Sequence, residues 1–125
     1  MEPETLISFV RHGQVHNPRE LYYGRLPGFH LSDEGRRQAT ATAEALRDRG
    51  ITAVYSSPLA RARQTAEIIC SPHPGLTLQC SDSLLDVHSP FDGRPMDEVA
   101  ARDWNVYDGV GPEYEQPEDV LDRVR

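Results

Sequence analysis

The sequence predicts an α/β fold, a three-layer αβα sandwich on a mostly parallel sheet, within a single domain spanning residues 1–125. Two observations carry this. Short β-rich runs alternate with amphipathic helical stretches in the order β-α-β-α-β, through short connections, the pattern of strands linked by crossover helices. The first run is also almost continuously apolar, as a strand buried on both faces of a parallel sheet should be.

Taken in order, Leu6, Ile7, Phe9 and Val10 form that first run, which ends abruptly in Arg11, His12 and Gly13. Ligands of open α/β sheets bind at the carboxyl ends of strands. A guanidinium, an imidazole and a flexible glycine there suit an anion, although the triplet alone also fits an ordinary loop. Pro18–His30, with two prolines, two glycines and adjacent tyrosines, reads as a loop. Ser32 is an N-cap for a helix with Asp33 and Glu34 in its first turn and Ala39, Ala43 and Leu46 on one face, stopped by Gly50. Ile51–Tyr55 is a second strand, and Ser56, Ser57 and Pro58 open a helix to about Cys70 with Leu59, Ala62, Ala66 and Ile69 as its apolar stripe. Arg61 falls in that helix's first turn, so its guanidinium and the helix N-terminus can face one anion.

Leu76–Cys80 alternates like a third strand after the Pro- and Gly-broken Ser71–Gly75. Ser81–Arg94 is irregular and carries Asp82, Asp86, His88 and Asp92. A short helix is expected from Pro95 to about Trp104, with Met96, Val99 and Ala100 inward. Asn105–Gln116 reads as a surface excursion, and a last helix begins near Pro117 with Val120, Leu121 and Val124 on one face.

Composition bounds the function. All 13 basic residues are Arg, against 20 acidic residues, for a net charge of −7, which argues against broad nucleic-acid binding. The charge is uneven: residues 1–80 hold nine Arg and eight acids, residues 81–125 four and twelve, so an anion site belongs to the first part. No stretch spans a membrane, and the acidic flank of the first apolar run lacks the positive charge of a signal peptide, so a cytoplasmic location is expected. Cys70 and Cys80 are too few for a disulfide framework, and with His73 they fall short of a four-ligand zinc pattern, so no metal is expected. Nothing in the pattern specifies an oligomeric state.

Three segments, in order, resemble the histidine phosphatase superfamily, also called phosphoglycerate mutase-like, over nearly the whole chain. Phe9–Val10–Arg11–His12–Gly13–Gln14 is similar to the family's opening strand and Arg-His-Gly motif. Leu31–Ser32–Asp33–Glu34–Gly35–Arg36–Arg37–Gln38–Ala39 resembles its Leu-Ser/Thr-x-x-Gly-x-x-Gln-Ala helix opening. Ser56 through Thr65 resembles its Ser-Ser-x-Leu-x-Arg-Ala-x-Gln-Thr segment.

The resemblance implies a phosphomonoester hydrolase acting on a small-molecule phosphate ester through a phosphohistidine at His12. A neutral imidazole is a competent nucleophile near neutral pH if one ring nitrogen is held as a donor and the other left free. Arg11 and Arg61 would hold the phosphoryl oxygens without metal or cofactor. Similarity also implies substrate contacts at Asn17 and Gly24. The family's proton donor is commonly a Glu in a Leu-x-Glu segment; here Leu84, Leu85 and Asp86 stand in that place, with an acid about 1.5 Å shorter in reach. His88 is an alternative donor or a solvated loop residue, and His16 is a further pocket candidate. Two rival readings remain: a cofactor-dependent phosphoglycerate mutase using the same site, and an inactive phosphate-binding fragment.

The chain is further expected to be incomplete at its C-terminus. It stops within an amphipathic helix, and no histidine follows His88 to supply the family's second catalytic His, carried by a strand that lies between those of His12 and Ser56. Leu6–Val10 and Ala53–Tyr55 should then not pair with each other, leaving exposed strand edges.

Overall fold

A computed structural model describes residues 4–125. Helix α1 (Asp33–Leu46) starts as the sequence dictates: Ser32 is extended and its Oγ accepts the Gly35 N–H at 3.0 Å, with Asp33 and Glu34 in the first turn. Strand β1 (Val54–Ser56), helix α2 (Ala60–Cys70) and strand β2 (Leu78–Cys80) form a β-α-β unit. The strands pair in parallel, Val54 opposite Leu78, Tyr55 opposite Gln79 and Ser56 opposite Cys80. Helix α1 packs on α2, and Ala39 and Ala43 of α1 and Ala66 and Ile69 of α2 are buried. Helices α3 (Met96–Ala100) and α4 (Pro117–Val124) follow. A second core lies under the later loops, where Phe91, Val99 and Val106 are buried among Tyr22, Val87, Tyr107 and Val110. The chain is thus an α/β fold with a parallel sheet.

Several elements depart from the sequence reading. The expected first strand forms no ladder: Leu6, Ile7 and Phe9 are 78%, 68% and 94% exposed, and no bridge joins this run to β1 among the described residues. That the run does not pair with β1 is as expected, and the described residues set no other strand beside it. Beyond Arg11 the backbone is tied to residues 30–32, His16 N–H to His30 O at 2.8 Å and Ser32 N–H to Gln14 O at 2.9 Å, with an isolated bridge between Val15 and Leu31. β propensity makes a strand only where a partner backbone is at hand.

Helix α2 begins at Ala60 rather than Pro58, with Leu59 at the N-cap and no side-chain cap bond. Ser56 and Ser57 are buried at the strand end, and the Ser56 hydroxyl donates to Ser57 O at 2.8 Å, so these hydroxyls serve the turn instead of the helix. Helix α3 stops at Ala100 because the chain turns through Asp103 and Trp104, both at positive φ (53° and 61°), where the Trp104 N–H reaches back to Val99 O at 3.0 Å. Helix α4 packs against the short 3₁₀ turn Asp82–Leu84, but Leu121 and Val124 of its apolar face are 50% and 47% exposed. No helix among the described residues is long and apolar enough to cross a membrane.

Candidate active site

His12 sits where the N-terminal run meets the first turn of α1, and its ring is half-buried. Its Nδ1 lies 2.7 Å from the Gly13 carbonyl oxygen. A carbonyl only accepts, so Nδ1 carries the proton and Nε2 keeps a free lone pair. Burial pushes the imidazole below its ordinary 6.5; the positive charges of Arg61 and Arg11 act in the same direction, while the Gly13 hydrogen bond and Asp86 oppose them. The neutral, nucleophilic form is therefore the one this environment favours.

Close packing of backbone fixes the loop. A Cβ on Gly13 would run into the Gly35 carbonyl, and one on Gly35 into the Gln14 carbonyl, so the two glycines let the His12 loop lie directly on α1. The Gly13 N–H donates to Thr65 Oγ1 at 3.2 Å, and that hydroxyl donates to Arg61 O at 2.8 Å, tying the loop to α2. The Gln14 N–H donates to Gln38 Oε1 at 2.8 Å.

Arg61 points into the protein, with only 3% exposure. Its guanidinium donates to Gly24 O at 2.6 Å and to Asp86 Oδ2 at 3.3 Å, and lies 4.3 Å from the centroid of the Tyr23 ring. Tyr23 in turn meets the His12 ring edge-on at 6.2 Å. Nucleophile candidate, aromatic ring, guanidinium and carboxylate thus follow one another in a single line of neighbours. The other Asp86 oxygen, Oδ1, accepts the Val87 N–H at 2.8 Å. Arg63, one turn face away, is exposed beside Glu67.

A cavity of about 490 Å³ opens at His12, with Arg11, Asn17, Tyr23, Gln38 and Met96 among its walls. Arg11 is exposed on this cavity, whereas Arg61 is reached through Tyr23 and is already bonded to Gly24 and Asp86. Asn17 lines the cavity, but its amide closes a turn, Nδ2 donating to Leu21 O at 2.9 Å and Oδ1 accepting the Leu21 N–H at 3.1 Å. Gly24 is buried at φ +43°, and a Cβ there would collide with the Asp92 carboxylate. Burial raises the Asp92 carboxyl above its ordinary value, countered by the Arg25 N–H that Oδ2 accepts at 3.1 Å. His16 is exposed, and so is His88, whose ring rests 5.0 Å from Tyr114. Cys70 and Cys80 are free thiols, and no cluster of metal-ligating side chains occurs among the described residues.

Sequence reasoning passed over Tyr23, Thr65 and Gln38. Gln38 and Thr65 stand inside the quoted motifs, so their signal was position; Tyr23 gave none beyond its place in an aromatic loop.

The profile described as the histidine phosphatase superfamily (branch 1) matches residues 7–125. An uncharacterised protein of Mycobacterium tuberculosis is 43% identical over 123 residues, covering 94% of this chain and 60% of that protein. A probable phosphoglycerate mutase of Yersinia pestis is 34% identical over 95 residues, covering 74% of this chain and 43% of that one. The structure of a mycobacterial glucosyl-3-phosphoglycerate phosphatase complexed with VO3 superposes with a TM-score of 0.73 at 28% identity, covering 90% of this chain and 59% of the other. The chain therefore spans about 60% of the length of the first of these relatives and of the solved structure. Matched along almost all of its own residues, the chain belongs to the histidine phosphatase superfamily, branch 1.

Proposed function

We propose that the chain contributes the nucleophile and anion-binding groups of a phosphomonoester hydrolase acting on a small phosphate ester. The observation that carries this is His12: half-buried, pushed toward its neutral form, its Nδ1–H held by the Gly13 carbonyl and its Nε2 free at a cavity. In the first step Nε2 attacks phosphorus, an N–P bond forms and the ester P–O bond breaks, with Arg11 and Arg61 offsetting charge on the non-bridging oxygens. The departing alkoxide takes a proton from Asp86. Water then attacks phosphorus while Asp86 takes its proton; an O–P bond forms, the N–P bond breaks, and phosphate leaves with the His12 imidazole restored.

Asp86 and Arg61 constrain each other in this scheme. In the unliganded arrangement Arg61 holds Asp86 Oδ2 at 3.3 Å. A phosphoryl group entering beside Tyr23 competes for that guanidinium, and the carboxyl it frees is the one that must carry a proton. Asn17 and Gly24 act at one remove: Asn17 shapes the cavity wall and the Gly24 carbonyl orients Arg61.

The test is acid-labile, base-stable labelling of the chain by p-nitrophenyl phosphate bearing a radioactive phosphoryl group, in wild type and in His12→Ala. Labelling of wild type alone supports the reading. Equal labelling of His12→Ala removes His12 as nucleophile, and vanadate binding without labelling of either protein leaves the phosphate-binding reading in its place. Conversion of 2- to 3-phosphoglycerate faster than phosphate release would assign the mutase activity.

A further inference from the structure

Away from His12, the structure holds a half-buried charge cluster that the scheme above does not use. Glu115 is 17% exposed and accepts from two guanidiniums, that of Arg25, 90 residues earlier, through Nη2 at 3.0 Å and that of the nearby Arg123 of α4 through Nε at 2.7 Å. It also accepts the His88 N–H at 2.7 Å, while its own N–H donates to His88 O at 3.0 Å. Both arginines extend to the segment that carries Asp86. Arg25 Nε donates to Asp86 O at 2.7 Å and Arg123 Nη2 to the same oxygen at 3.3 Å, while Arg123 Nη1 donates to Ser83 O at 2.6 Å.

The geometry points to Glu115 as the positioning residue of the candidate proton donor: through Arg25 and Arg123 it fixes the backbone of residues 83–88, and with it the reach of the Asp86 carboxyl toward the phosphate ester's leaving oxygen. This rests on the reading of Asp86 given above.

Three features favour this over a plain structural ion pair. Both donors converge on a single acceptor, the Asp86 carbonyl, rather than on solvent. Before Val87, which packs on the second core, the segment buries little: Leu84 is exposed and Leu85 only half-buried, so the arginine bonds to Ser83 O and Asp86 O are its main backbone ties to the rest of the fold. An Asp, about 1.5 Å shorter than a Glu, must also be carried closer to its target by the backbone itself. Replacing Glu115 by a neutral group would leave two half-buried guanidiniums without the carboxylate between them, and the loop they grip would loosen.

The experiment compares the wild-type chain with Glu115→Gln, which keeps the shape and removes the charge. Amide hydrogen exchange is read over residues 83–88; it should speed up by at least about tenfold while α1 and α2 keep their protection. Turnover is read on ethyl phosphate, whose leaving group needs a proton, and on p-nitrophenyl phosphate, whose leaving group hardly does. On ethyl phosphate kcat should fall at least about tenfold at unchanged KM, and on p-nitrophenyl phosphate by less than about threefold, because general acid catalysis matters only for the poorer leaving group. Unchanged exchange over residues 83–88 overturns the proposal whatever the activity, as does an equal loss on both esters. If wild type turns over neither ester, the reading of Asp86 as acid fails, and the exchange result alone decides whether Glu115 fixes the segment. If Glu115→Gln does not fold, Arg123→Met, which empties the other half of the clamp, must show the same exchange and leaving-group signature.

Discussion

His12 combines two influences that a surface histidine does not meet, burial and neighbouring guanidiniums, and both hold its pKa below 6.5. The sign for stability follows. As pH falls below 6.5 the unfolded chain takes up the proton before the folded one does, so the fold loses stability from 6.5 down to the lowered native value. An NMR titration of the His12 ring should therefore give a midpoint below 6.5, rising toward 6.5 in Arg61→Met, where one of the positive neighbours is gone. A midpoint at or above 6.5 in wild type would remove the argument for a neutral nucleophile. Tyr23 shows the same logic in an uncharged group. Its ring lies on a guanidinium that is almost wholly buried, so Tyr23→Leu should lower stability by about 0.5–2 kcal/mol beyond the change in buried area, read from urea unfolding midpoints. Arg61→Lys should weaken vanadate binding, because a point charge cannot serve Gly24, Asp86 and a phosphoryl oxygen through one planar fork.

Between elements, the decisive contact is the seat of the His12 loop on α1. Gly13 and Gly35 face each other with no room for a Cβ on either side. Gly35→Ala should thus destabilise the protein despite alanine's better helix propensity, by at least the about 1–3 kcal/mol of an over-packed site, and should displace His12. Were Gly35→Ala more stable, the close approach would not be a feature of the protein in solution. Glu115 sets an element-scale pH dependence at the other end of the chain. Burial alone would raise it, but the hydrogen bonds from Arg123 and the His88 N–H outweigh that and hold it below its ordinary 4.5. Its contribution is present above 4.5 and is lost as pH falls through the lowered native value, so the docking of α4 on residues 82–88 should weaken only in that acid range. Fluorescence of a probe on α4 across that range, with Glu115→Gln as the control that has nothing left to titrate, reads this directly.

For the whole molecule, what the sequence made legible was what is local. The Ser32 cap and the β1-α2-β2 order followed from turn chemistry and periodicity. What could not be read was what depends on distant partners: that Gly24 carries Arg61, that Tyr23 lies between Arg61 and His12, that Glu115 closes on Arg25. The largest departure, the run Leu6–Val10, is of the same kind, since its residues have every strand propensity and no strand beside them. Its consequence is a property of the free chain. Large apolar side chains lie exposed together in a run that joins no ladder among the described residues, and β1, which pairs only with β2 among them, exposes Tyr55 to 59%. Such a segment is a template for a second copy of the chain. Sedimentation velocity on the purified chain should show association that increases with concentration. Ile7→Glu together with Phe9→Lys should suppress it without altering the helical circular dichroism, because neither side chain is packed in the fold. If the double variant associates as strongly as wild type, the contact lies elsewhere, and the exposed face of α4, with Leu121 and Val124, becomes the surface to vary next.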